Sequence, residues 1–154
     1  MEDEQAKRLS AIVERRKKHA VDLAAKERSA KSTEEDRERR IDQAKAYWER
    51  SRLELTLAVS AVNANLADGG LKLRESFDAE AAPAIARIHI SVDVDGKRMS
   101  SGPKLRINVS ALGKGQSAFL LTGDRANNQT DFEVVDADQR FYTELLTSFL
   151  EKCL

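Results

Sequence analysis

The chain has 154 residues, with 26 Lys/Arg balanced by 26 Asp/Glu, 34% charged residues and a single cysteine. Zero formal charge excludes a global field that would draw the protein to nucleic acid, membrane or an acidic partner. One cysteine excludes an intrachain disulfide and fits a reducing compartment. The charge is well above the roughly 25% of an ordinary globular domain and is unevenly placed. Residues 1–55 hold 15 Lys/Arg and 13 Asp/Glu, and the other 99 residues hold 11 and 13. The start, Met1-Glu2-Asp3-Glu4, is acidic where a signal peptide is basic and apolar. No run of about 18 apolar residues exists. A cytoplasmic location without membrane contact is the expectation.

Glycine and proline are absent from residue 1 to residue 68, and Gly69-Gly70 is the first break, which predicts helix throughout. Acid-before-base pairs at i,i+4, such as Asp3/Lys7, Glu14/Lys18, Glu27/Lys31 and Asp36/Arg40, support it, each contributing about 0.2–0.5 kcal/mol on an exposed helix. Apolar residues follow a heptad. One series reads Ala6, Val13, Ala20, Glu27, Glu34, Ile41, Trp48, Leu55, Val62, and its partner Leu9, Arg16, Leu23, Ala30, Arg37, Ala44, Ser51, Ala58, Asn65. The seam is polar from Glu27 to Arg37, where a coiled coil gains nothing. Two arrangements fit: one long helix of roughly 100 Å, or a hairpin bent at Ser32-Thr33, where Ser32-x-x-Glu35 reads as a capping box. The unbroken register favours the single helix. Leu53, Leu55, Leu57 and Val59 alternate like a strand, but Trp48, Leu55, Ala58, Val59, Val62 and Leu66 share one helical face, and helix is favoured up to the stop at Ala67-Asp68-Gly69-Gly70.

Residues 69–83 read as a linker closed by Pro83. Beyond it the period becomes two. Ile88, Ile90, Val92 and Val94 alternate with Arg87, His89, Ser91 and Asp93. Asp95-Gly96 signals a hairpin. Further strands are predicted at Leu105–Ala111, Ser117–Thr122 and Phe132–Val135, with a turn at Asn127-Asn128. Phe141, Tyr142, Leu145, Leu146, Phe149 and Leu150 define an amphipathic C-terminal helix, capped by Asp136 or Asp138, that would cover the sheet, with the end of the long helix around Trp48–Leu66 as a second candidate cover. The expected class is α+β: a charged helical arm over 1–68, a linker over 69–83, and a head domain over 84–154 built of a four-stranded antiparallel meander and the C-terminal helix.

Chemistry-bearing patterns are few. Gly113-Lys114-Gly115-Gln116-Ser117-Ala118 matches a dinucleotide fingerprint, but Gly123 follows too soon for a crossover helix, and a hairpin turn explains it. Asp93-Val94-Asp95-Gly96 echoes a calcium loop without its later ligands. His19, His89 and Cys153 lie on separate elements. No catalytic, metal or cofactor site is therefore expected. The Arg15–His19 and Arg37–Arg40 runs are interleaved with acids and read as a solvated helix face.

The leading reading is a non-enzymatic interaction or assembly protein, its helical arm associating with itself or docking a helical partner through Val13, Leu23, Ile41, Trp48, Leu55 and Val62. The stripe from Ile41 to Val62 exceeds what four strands would cover, so a homo-oligomer is expected. The alternative is a nucleic-acid-binding regulator that contacts phosphate through the basic 97–106 loop, with Lys97, Arg98, Lys104 and Arg106, and the basic helix face.

Overall fold

The computed structural model describes residues 3–77, 85–99, 101–121 and 125–153. It is α+β: a helix α1 (Asp3–Leu66), five strands β1 (Leu71–Phe77), β2 (Ala86–Val94), β3 (Lys104–Val109), β4 (Lys114–Leu120) and β5 (Ala126–Glu133), and a helix α2 (Gln139–Cys153). The chain divides into two compact units, Met1–Arg39 and Arg40–Leu154.

α1 is continuous through Ser32-Thr33, so the hairpin alternative does not hold. The Thr33 hydroxyl donates to the Ser29 carbonyl at 2.9 Å, back-bonding within the helix. Residues 53–59 are helical as expected. In the first unit every described residue is exposed. Its ion pairs among the described residues are Glu14–Lys17 and Asp36–Arg39, one turn apart at i,i+3.

α1 ends where the sequence places its stop. Ala67–Gly69 form a 3₁₀ turn, and Gly70 takes a left-handed φ of 70° while donating its N–H to the Ala67 carbonyl. The chain then enters β1, which corrects two expectations at once: the linker is strand from Leu71 to Phe77, and the sheet has five strands, not four. Leu71 and Leu73 face the core, but Glu75 occupies the next core-facing position, and the interrupted pattern reads as loop. Pro83, Thr122 and Gly123 lie outside the described residues.

The sheet is an antiparallel meander in the order β1-β2-β3-β4-β5. Asp95 and Gly96 have φ of 51° and 77°, and Val94 and Lys97 exchange backbone hydrogen bonds at 3.1 and 2.9 Å. This is the two-residue primed turn whose twist matches its strands. β4 and β5 begin earlier than the apolar pattern indicates. Asn127-Asn128 is not a turn but lies within β5, and Asn128 has a φ of 51° beside the register shift between Ser117 and Phe119, as at a bulge. Gly113 supplies the positive φ of 77° in the β3–β4 turn. Gly115 lies under the Phe132 ring, and a Cβ there would strike it. Both glycines thus have structural work, and the fingerprint reading has no support.

Ile88, Ile90, Leu105, Ile107, Val109 and Phe119 point to one face of the sheet and are covered by both helices. From α2 come Tyr142, Leu146, Phe149 and Leu150, with Phe119 and Phe149 meeting edge to face at a centroid distance of 5.5 Å. Asp138 caps α2 by accepting the Phe141 N–H at 2.9 Å. From α1 come Trp48 (4% exposed), Leu55, Ala58, Val59 and Val62. Trp48, Leu55 and Val62 of the stripe that was expected to need a second copy are therefore buried within the chain, because the sheet has a fifth strand and its apolar face takes the end of α1 as well as α2.

α1 also guards the sheet edge. The Asn63 side-chain amide donates to the Leu73 carbonyl at 3.1 Å and accepts the Leu73 N–H at 2.7 Å. It thereby saturates backbone groups on β1 that would otherwise template another strand. Arg52 lies 4.2 Å above the Phe77 ring. Glu75 pairs weakly with the Thr56 hydroxyl at 3.5 Å, and its other carboxylate oxygen is buried without a partner. Burial raises its pKa, against the opposing effects of Thr56 and Arg52.

Ser51, on α1, is buried and donates to the Ala137 carbonyl at 3.0 Å. Its single proton is thereby committed, so the Tyr142 hydroxyl donates to Ser51, at 2.5 Å. Burial pushes the Tyr142 hydroxyl up from 10.0 to about 12, with the Ser51 bond acting the other way. The folded state holds this proton more tightly than the unfolded state. The stability it carries is complete below the unfolded value and is lost as pH rises through the folded one. Urea titrations of the wild type should lose about 2–3 kcal/mol across that alkaline window, and Tyr142→Phe should lack this phase.

Candidate interaction surfaces

The six apolar residues of the expected partner face separate into two groups. Trp48, Leu55 and Val62 are buried in the core of the second unit and are not available to a partner. Val13 and Leu23 are 50% and 45% exposed, and Ile41 is half-buried. Leu9, Ile12 and Val21 in the first unit are exposed as well. Leu53 and Leu57, which gave the sequence its strand-like alternation, point outward from α1 at 68% and 53% exposure, while Leu55 and Val59 point inward.

The four basic residues of the 97–106 segment separate too. Lys97 follows the Asp95-Gly96 turn and Arg98 is exposed beyond it. Ser100 lies outside the described residues. Lys104 and Arg106 are not loop residues: they belong to β3 and project from the sheet face opposite the helices, alternating with the buried Leu105 and Ile107. The register sets His89 beside Arg106 and Ser91 beside Lys104 on β2, and Arg74 beside Ser91 on β1. Arg74 pairs with Asp93 at 3.3 Å. Lower on the same face, Arg87, Asn108, Gln116 and Asp131 form a row across β2 to β5. Arg87 Nε donates to Asn108 Oδ1 at 2.8 Å and Gln116 Nε2 donates to Asp131 Oδ1 at 3.4 Å. This row lines a shallow concavity of about 540 Å³.

The convergence of basic residues from β1 and β2 on Lys104 and Arg106 was not anticipated. Its signal was present, because the polar positions of these alternating strands include Lys72, Arg74, Arg87, Lys104 and Arg106 with Asp93 as the one acid. A reading directed at the apolar positions passes over it.

Chemistry finds little to work with. His89 lies on the open sheet face, whereas Cys153 packs against the core cluster. Burial pushes the Cys153 thiol up to about 11, the reverse of what a thiolate nucleophile requires. Among the described residues no His, Cys, Asp and Glu side chains group in threes that could hold a metal ion, and no helix is long and apolar enough to cross a membrane. Comparison with known protein families, with curated proteins and with solved structures gave no match.

Proposed function

We propose that the chain is a non-enzymatic assembly protein whose N-terminal helical segment associates with a second copy of itself. The observation that carries this reading is the first unit: a helix through residue 39 whose described residues are all exposed, with Leu9, Val13 and Leu23 among them on one heptad seam. Helices in proteins draw most of their stability from packing an amphipathic face, and this face is unpacked within its own unit.

The polar part of the seam favours an orientation. Parallel, in-register pairing would set Glu27, Glu34, Arg16 and Arg37 each against its own copy, placing like charges in the contact. Antiparallel pairing opposes the two heptad series, and the register that sets Ala20 of one copy against Leu23 of the other also sets Val13 against Ala30 and Glu27 against Arg16. The reading is tested by sedimentation equilibrium on the full chain at micromolar to submillimolar concentration. It predicts twice the chain mass for wild type and the chain mass for Val13→Lys with Leu23→Lys. A wild type at the chain mass throughout would overturn it, whether the helix stands alone or docks another protein.

A further inference from the structure

The open sheet face of the second unit carries an interaction surface that stands independently of the helical segment. Six cations project from it: Lys72 and Arg74 on β1, Arg87 on β2, Lys104 and Arg106 on β3, and Lys114 on β4. Three carboxylates share the face. Asp93 is engaged by Arg74, and Asp131 and Glu133 lie on the β5 edge, where they meet Gln116 and Lys114. The excess cations therefore concentrate over β1 to β3. Among the described residues no ion pair engages Lys72, Lys104 or Arg106, and the buried Arg106 Nε has no hydrogen-bond partner. Adjacent strands are about 4.8 Å apart and alternate residues about 6.8 Å apart along a strand, so these charges form a continuous patch on a chain whose overall charge is zero.

We propose that this face binds the phosphate backbone of duplex nucleic acid without reading its sequence. Two features select that partner. Protein interfaces centre on apolar and aromatic side chains, and here the apolar residues facing the same way, Ala118 and Leu120, are buried. Single strands are held by aromatic stacking, and among the described residues no aromatic ring other than the His89 imidazole lies on this face. What remains is a flat array of cations, the element that neutralises phosphates and gives steeply salt-dependent, sequence-tolerant binding.

The test is fluorescence anisotropy of a labelled duplex of about 20 base pairs with the full chain, between about 50 and 200 mM salt, where about four neutralised phosphates give a log–log slope near −3 to −4. Lys72→Gln with Lys104→Gln and Arg106→Gln should cut affinity at least about tenfold at the low-salt end and reduce the slope by about three. Lys97→Gln with Arg98→Gln, in the adjacent loop, should stay within about twofold, since the proposal assigns it no phosphate. Circular dichroism establishes that each variant retains its sheet. If the triple variant does not, the exposed single change Lys72→Gln is read instead, with an expected loss of about one unit of slope. Duplex binding that is absent at low salt, unchanged in the folded triple variant, lost only in the loop variant, or replaced by preferential binding of polyglutamate or anionic vesicles would overturn the proposal.

Discussion

Leu146→Ala combined with Phe149→Ala is expected to unfold the second unit or leave it without fixed packing. Both side chains are fully buried, and Phe149 holds the edge-to-face contact with Phe119 on the central part of the sheet. Large-to-small changes at such positions cost about 2–5 kcal/mol for leucine and about 3–5 for phenylalanine, because the cavity is refilled only in part. Their sum, about 5–10 kcal/mol, is comparable to the roughly 5–15 kcal/mol that hold a domain of this size together. Thermal melting followed by the β signal in circular dichroism should show no cooperative transition for the double variant. Leu145, one residue away and only half-buried, provides the contrast: Leu145→Ala should melt cooperatively.

The second large effect concerns where the folded unit begins. A fragment of residues 69–154 contains every strand and α2, yet it should fail to fold. It lacks Trp48, Leu55, Ala58, Val59 and Val62 from the core cluster, the Asn63 bonds that close the β1 edge, and the Ser51 hydroxyl that accepts from Tyr142. Burying one large aliphatic or aromatic side chain is worth about 1.5–3 kcal/mol, so the missing group is comparable to the whole stability of a small domain. A fragment of residues 40–154 retains all of these contacts and should give a cooperative melt with a dispersed amide spectrum. A folded 69–154 fragment would show that the sheet and α2 suffice, as the sequence alone implied for a head domain at 84–154.

What was legible in the sequence follows the strength of each pattern. α1 and α2 were plain, because a helix longer than a few turns leaves either a long gap in glycine and proline or a clear apolar stripe. β2 and β3 were plain because one face is buried throughout, from Ile88 to Val92 and from Leu105 to Val109. β1 was lost because its apolar face is broken by Glu75, whose burial is tolerated only with α1 alongside it, and that proximity is tertiary. β5 was displaced because Asn127 and Asn128 are turn-forming types, and here Asn128 serves a bulge instead. The heptad misled for a different reason. Spacing identifies a helical face that needs cover, but Trp48 and Leu55 present the same pattern whether the cover is a second helix or the chain's own sheet. Of the six residues expected to form a partner face, Val13 and Leu23 are the two in the first unit, where every described residue is exposed. The basic sheet face required register: Lys72 and Arg106 are far apart in sequence, and the pairing of β1 with β2 and β2 with β3 brings them to one surface.

The proposed self-association divides the labour between residues 40–154, the folded unit, and the exposed helix before residue 40, to which association is assigned. Sedimentation equilibrium of the full chain beside the 40–154 fragment, each with its thermal melt, tests this directly. The account predicts twice the chain mass for the full protein and the monomer mass for a fragment that still melts cooperatively. A fragment that remains dimeric, or a full chain that is monomeric at submillimolar concentration, would contradict it.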